Sequence, residues 1–243
     1  CCFLMHPFQQ VQAKSFKAGS DVWYPFFYMN GDQPDGIAVK IISEVMKRSH
    51  HTIEFRCLPN RRVRVLLAHD EIDTGLLDAP LWQTKEERAA SVFSSIILTI
   101  PEYVYVSKFS SFNVERRENL LGKKVVINAG YLYPSFDEYF NTNKIIKIEN
   151  PKAENLPLMV AMHRADAFFM DTYLFGYLSR QGLVRASDFK PVFKISEAEV
   201  AFKFHKSFEP YLNEFNQIIE DLKMEGFVEK VVQDYTRQAV LIP

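Results

Sequence analysis

No apolar run in this chain approaches the roughly 18–20 residues that carry a helix across a bilayer, so no membrane span is expected. An excess of one charge is also missing. Lys and Arg number 29 against 30 Asp and Glu, for a net charge of −1. That balance leaves no electrostatic footprint for nucleic acid or an anionic membrane surface. The most basic cluster, Arg61, Arg62 and Arg64, reads as a solvated helix face before an anion site. Cysteine is scarce. Two of the three lie at the extreme N-terminus, so no disulfide framework is expected. Cys57, in a stretch of alternating apolar residues, reads as a packed core thiol rather than a nucleophile. The chain has no G-x-S-x-G, no H-E-x-x-H and no Walker loop, which removes the recognisable hydrolase, zincin and phosphate-loop chemistries. His50 and His51 are adjacent, so on a regular element they point apart. With no carboxylate at ligand spacing, neither a metal nor a cofactor is expected.

What is present is an ordinary globular composition: 243 residues, 47% hydrophobic and 24% charged. That length suffices for one large or two modest domains, each with its own core. Cys1 to Ala13 is apolar at first and ends Val11-Gln12-Ala13, which suits a signal-peptidase site with Lys14 as the first mature residue. Residues 1–13 are therefore read as the remnant of a signal for export, the other reading being an apolar N-terminal arm.

Two segments 93 residues apart carry the same pattern. Val65 to Asp78 reads VLLAHDEIDTGLLD and Leu158 to Asp171 reads LMVAMHRADAFFMD, so Asp73 aligns with Asp166 and Asp78 with Asp171. Each is a helix ending in a turn, followed by a short buried strand with an aspartate at its far end. Ligands of open α/β sheets bind outside the carboxyl ends of strands, so both aspartates point at a crevice. Around these copies the spacing predicts strands over Ser15 to Ser20, Thr52 to Cys57, Val125 to Ile127 and Ile145 to Ile148. Helices are predicted over Ile37 to Arg48, Arg62 to His69, Ser135 to Phe140, Ala153 to His163 and Asp171 to Gln181. The C-terminus reads as an apolar-faced helix from Phe208 to Leu222, closed by Gly226, and a shorter one from Phe227 to Tyr235. Two β-rich stretches, Val92 to Val106 and Val192 to Phe204, are places for the chain to cross between lobes. The expected fold is α/β, two-lobed, with mostly parallel sheets and two crossing segments. Lobe 1 is discontinuous (14–103 and 197–243), and lobe 2 covers 104–196.

The order of motifs resembles the amino-acid-type (family 3) extracellular solute-binding proteins of ABC transporters, which have the type II clamshell fold of periplasmic binding proteins. The resemblance rests on Tyr24-Pro25-Phe26, Gly36 to Ile41, Glu71-Ile72-Asp73, Thr84 to Arg88 with Phe93-Ser94, Leu121 to Lys124 with Gly130, Arg164 to Ala167 with Asp171, and the closing Leu222 to Tyr235. It implies that Asp171 holds a ligand ammonium, while Arg88 and backbone N–H groups of a helix start after Gly130 hold a carboxylate. The chemistry is sound on its own terms. A zwitterion taken from water needs paired counter-charges, and a guanidinium grips a carboxylate through two parallel bonds.

The chain also departs from the family pattern. Glu87 stands where relatives place the arginine, and Arg88 is shifted by one residue. Tyr131 and Leu132 replace small hydroxyl residues, Asp78 a small one, Lys40 an aspartate and His163 a glycine. The candidate ligand residues are Asp171, Arg88, Asp78, Tyr24, Trp23, Gly130 and Tyr131, with Phe27 and Tyr133 beside them. Each has a structural alternative: a helix cap for Asp171, a surface ion pair for Arg88, a turn for Asp78, and simple core for the aromatics. The resemblance implies a monomeric periplasmic protein that captures a small polar solute, an amino acid or a related compound. Its partners would be that solute and the membrane subunits of an ABC importer. The alternatives are a cyclic-acid dehydratase on the same scaffold, with Asp78 or Glu87 as acid or base, and a soluble sensing module for a signalling receptor.

Overall fold

The computed structural model describes residues 13–236, so Cys1 to Gln12 of the expected signal remnant lies outside the described residues. In chain order the elements are β1 (Ser15–Ser20), β2 (Tyr28–Asn30), β3 (Gln33–Asp35), α1 (Ile37–Arg48), β4 (Thr52–Cys57), α2 (Asn60–Ala68) and β5 (Thr74–Asp78). These are followed by α3 (Lys85–Ala89), β6 (Ser91–Ser107), β7 (Lys124–Asn128), α4 (Asp137–Asn141), β8 (Ile146–Asn150), α5 (Asn155–Ala161), β9 (Ala167–Asp171) and α6 (Thr172–Arg180). The chain closes with β10 (Phe189–His205), α7 (Leu212–Met224) and α8 (Phe227–Thr236). Among the described residues no helix is long and apolar enough to cross a membrane.

The result is a two-domain α/β fold with a mixed sheet. Strand order is β4-β1-β5-β10-β6-β9-β7-β8, with β2 and β3 forming a separate hairpin. The pairs β1–β4, β1–β5, β7–β8 and β7–β9 are parallel, as the alternation of strands and helices predicts. The middle of the sheet is not. There β10 runs antiparallel to β5 and β6, and β6 antiparallel to β9. The two β-rich stretches of the sequence are thus the 17-residue strands β6 and β10, paired to each other almost end to end.

Apart from a small cluster at α2 (Val63, Leu67 and Ile72), apolar side chains collect in two bodies. The first draws on both ends of the chain and includes Phe16, Ile41, Val45, Leu76, Phe202, Phe215 and Leu222. Its centre is aromatic, with the Phe204 and Phe208 rings stacked at 3.9 Å. The second body packs on both faces of β7 and β9. Val125, Ile127, Ala167 and Phe169 enter one face, and Val126, Phe168 and Met170 the other. That period of two is why β9 reads as an uninterrupted apolar run, AFFM, before its aspartate.

The repeated pattern is a repeated structure. After α2, Glu71 N–H returns to the Leu66 carbonyl at 2.9 Å; after α5, Arg164 N–H returns to Met159 at 2.8 Å. Asp70 and His163, aligned in the two copies, both adopt left-handed φ, 58° and 56°. Asp73 accepts the Lys17 N–H and Asp166 the Lys124 N–H, each at 2.7 Å. Each turn aspartate therefore ties the start of its strand to the neighbouring parallel strand.

Two local expectations change, and His51 finds its place. The C-terminal helix starts at Leu212, because Pro210 interrupts the preceding turn, and Lys206–Tyr211 is a 3₁₀ segment. Cys57 is exposed rather than packed, since it ends the edge strand β4 beyond the core. His51 is a core residue, edge-on to Phe16 and Tyr211, with Nδ1 accepting the Lys14 N–H at 3.2 Å.

The matched turns give matched costs. Asp73→Ala and Asp166→Ala should each remove about 1 kcal/mol, because each leaves a backbone N–H of the neighbouring strand, Lys17 or Lys124, without its charged acceptor. For a chain of this size, that is a fall in Tm of about 2–4 °C by scanning calorimetry.

Candidate functional site

A cavity of about 490 Å³ is lined from both bodies and sits at the carboxyl ends of β5, β7 and β9. Its size is that of a small-molecule site and its position that of a ligand crevice in α/β sheets. Trp23, Tyr24 and Trp82 wall one side, and Tyr131, Leu132 and Tyr133 another. Among the described residues, no group of three His, Cys, Asp or Glu side chains is placed to hold a metal ion.

Asp171 ends β9 in the wall of this cavity. Its Oδ1 accepts the Leu174 N–H at 2.8 Å, so it is also the N-cap of α6. The cap and ligand readings of this residue are compatible, because the cap uses one oxygen. Burial pushes its carboxyl up to about 6, opposed by that N–H and by the nearby Trp23 indole. The indole N–H does not reach hydrogen-bond geometry and is buried without a partner.

Glu102 stands opposite Asp171, because the β6–β9 register pairs the two positions directly. Directly opposed residues on an antiparallel pair place their side chains on one face, about 4.5–5.5 Å apart at Cβ. Tyr133 Oη donates to Glu102 Oε1 at 2.8 Å, and Ser196 Oγ to Oε2 at 3.3 Å. Burial, reinforced by the Asp171 charge, raises the Glu102 carboxyl to about 7 despite these donors.

The opposite wall is differently arranged. Asp78 Oδ2 faces Lys203 Nζ at 3.4 Å, and the Lys203 side chain is only 4% exposed. Gln83 also donates to Asp78, whose Oδ1 takes the Ala79 N–H at 2.8 Å, so the turn reading holds too. Burial raises the Asp78 carboxyl and the Lys203 charge counters it. Arg64, from α2, completes this wall with Nε 3.4 Å from Glu87.

The structure gathers Trp23, Tyr24, Asp78, Gly130, Tyr131 and Asp171 around the cavity, with Tyr133. It does not bring Arg88 there. Thr84 and Glu87 form a capping box, with Glu87 N–H on Thr84 Oγ1 at 3.2 Å and Thr84 N–H on Glu87 at 2.9 Å. That box turns Glu87 toward Arg64 and leaves Arg88 exposed on α3. Phe27 is buried core. The helix start expected after Gly130 is absent; a turn follows, and α4 begins only at Asp137.

Sequence reasoning missed Glu102, Lys203 and Arg64. Arg64 was read with its neighbours as solvated surface, and only Arg61 and Arg62 are exposed. The signal for the other two is a lone charge within an apolar strand: Ile100-Pro101-Glu102-Tyr103-Val104 and Ala201-Phe202-Lys203-Phe204. Such a charge needs a partner or a cavity.

A model of the bacterial extracellular solute-binding proteins, family 3, matches residues 17–238. The chain belongs to this family. Among relatives, it is 26% identical over 223 residues to PatH of Vibrio harveyi, which is named as an amino-acid ABC transporter-binding protein; the match covers 90% of this chain and 87% of that one. Two solved structures share the fold. One is a histidine kinase sensor domain with similarity to periplasmic binding proteins, with TM-score 0.77 and 17% identity, covering 94% of this chain and 98% of that one. The other is an ancestral arginine-binding protein bound to arginine, with TM-score 0.75 and 17% identity, covering 91% and 97%.

The carboxyl pair gives this family 3 protein a pH signature. The groups facing Glu102 are Asp171 from β9, Tyr133 and Tyr131 from the loop after β7, and Ser196 from β10. The folded state retains protons that an unfolded chain releases near pH 4. This contribution to stability is therefore complete below about pH 4 and lost as pH rises through about 6–7. Glu102→Gln keeps the Tyr133 acceptor and removes the charge. At pH 8 the variant should be more stable than the parent by about 1–2 kcal/mol. Its Tm should vary less between pH 5 and 8.

Proposed function

We propose that this protein is a periplasmic solute-binding protein that captures a small polar solute, an amino acid or a related compound, and delivers it to the membrane subunits of an ABC importer. The observation that carries this reading is the family match over nearly the whole chain, together with the Asp171 carboxylate in the cavity wall. A buried carboxylate without a cation is a costly arrangement that an arriving ammonium relieves.

In this reading lobe 1 is 14–103 with 197–243, lobe 2 is 104–196, and the parallel strands belong to the lobes. The antiparallel strands β6 and β10 are the two crossings, about which the lobes close on the solute. Trp23 and Tyr24 from lobe 1 would then meet Asp171 and Tyr131 from lobe 2 across the ligand. The stacking of Tyr24 on Tyr177, 4.7 Å apart and 8° from parallel, supports a close approach of the lobes on that side.

A second reading, a sensing module for a signalling receptor, is favoured by the likeness to the histidine kinase sensor domain. Both readings place a small solute in the same cavity.

A thermal-shift screen against amino acids, amines and small organic acids tests the shared claim. A solute at 100 times its Kd should add about 2.7 kcal/mol of apparent stability, on the order of 5–11 °C in Tm. No shift with any compound would contradict the reading. Asp171→Asn keeps the acceptor for Leu174 N–H while removing the charge. It should lose about 100-fold or more in affinity for an amine-bearing solute, with the empty protein's Tm held or raised; unchanged affinity would reduce Asp171 to a cap.

A further inference from the structure

We propose that Glu102 is a ligand-binding residue that forms, with Asp171, a two-carboxyl seat for a cationic group, so that the solute is an organic cation with an ammonium or guanidinium and a net positive charge. This rests on the solute-binding reading above and narrows it to a class of ligand.

Some of the charges in the cavity are already matched. Lys203 is paired with Asp78, and Arg64 with Glu87. Neither Glu102 nor Asp171 forms an ion pair among the described residues, although Asp171 is buried to 7% exposure. Five carboxylates line the cavity against three cations, and one of those cations, Lys152, is exposed. Of the five, Asp21, Glu102, Glu154 and Asp171 form no ion pair among the described residues, and only Glu102 and Asp171 stand on directly opposed strand positions that bring two such carboxyls together. A cation between them would supply the counter-charge the protein withholds.

The seat is also oriented. Tyr133 and Ser196 hold both Glu102 oxygens, and Leu174 N–H holds one oxygen of Asp171. These donors leave lone pairs on both carboxylates for a further donor, and each oxygen can accept more than one. An ammonium brings three N–H donors, and a guanidinium five in a planar fork suited to bridging two carboxylates. The aromatic walls at Trp23, Tyr24 and Tyr131 add faces that attract cations and not anions. The other half of an ordinary amino acid is poorly served. Arg88 lies outside the cavity, no helix starts after Gly130, and the cations of the far wall are held by carboxylates. On the far wall a bound carboxylate would compete with Asp78 for Lys203 and with Glu87 for Arg64, and the third lining cation, Lys152, is exposed.

The test is calorimetric titration of the purified protein at pH 8 and low salt with agmatine, putrescine, L-arginine and L-lysine. L-glutamine, L-leucine and L-glutamate serve as the neutral and acidic comparison. The cationic probes should bind, and at least one that lacks a carboxylate should bind as tightly as L-arginine. Glu102→Gln should weaken the best cationic probe tenfold or more while its Tm without ligand stays at or above that of the parent. Glu102→Asp should recover part of the loss, which a merely structural role for the side chain would not do. Binding confined to neutral or acidic amino acids, or a cation affinity unchanged within twofold in Glu102→Gln, would overturn the two-carboxyl seat and leave solute capture standing. Silence across the whole panel would overturn both.

Discussion

The antiparallel ladder of β6 and β10 is the constraint on which the rest of this molecule depends. Two 17-residue strands run through both apolar bodies, and their register decides which side chains form the floor of the cavity. On one flank, β6 sets Glu102 against Asp171 of β9. On the other, β10 sets Ala201 against Asp78 of β5, which brings Lys203 within 3.4 Å of the Asp78 carboxylate. A slip of one residue in either strand would turn these charged side chains to the opposite face. Two of the four register shifts in the ladder, between Val200 and Ala201 and between Ala201 and Lys203, lie where Lys203 must be aimed inward.

From that ladder follows an uneven division of electrostatic labour. The Asp78–Lys203 pair is self-sufficient, with a backbone N–H and the Gln83 amide completing it. A buried pair of this kind fixes geometry more than it adds stability. The Glu102–Asp171 pair receives no counter-charge from the described residues, only neutral donors. Incomplete polar groups in a cavity are where a ligand finds binding energy that water cannot match. The fold therefore stores its unmet need on the wall formed by β6 and β9.

Much of this was legible in the residues, and the limits are physical. Local periodicity located β1, α1 and β4 to the residue, because each carries a clean period of 2 or 3.6. The paired copies around Asp73 and Asp166 reported a true structural repeat, down to the same N–H acceptor role. The aspartates ending β5 and β9 pointed correctly at the cavity. What periodicity could not carry was strand direction. The β-rich stretches held no information about pairing antiparallel, since pairing is a property of two distant segments. Arg88 lies outside the cavity for a different reason. Its motif match ignored the competing capping box, in which Thr84 and Glu87 set the helix and leave the next residue outside. Glu102 and Lys203 were visible as lone charges in apolar strands, but their meaning depends on neighbours more than 60 residues away.

In the proposed seat, Glu102 and Asp171 form an unmatched carboxyl pair that receives a cation. The most direct measurement is a carbon-13 NMR titration of the side-chain carboxyls, with Glu102→Gln and Asp171→Asn used to assign the two signals. In the empty protein the pair should titrate with apparent values near 6 and 7. A bound cationic solute should move both below about 5, because an adjacent positive charge favours the ionised form. If both carboxyls titrate near 4 in the empty protein, and no solute moves them, the pair carries no unmet charge and the account is wrong.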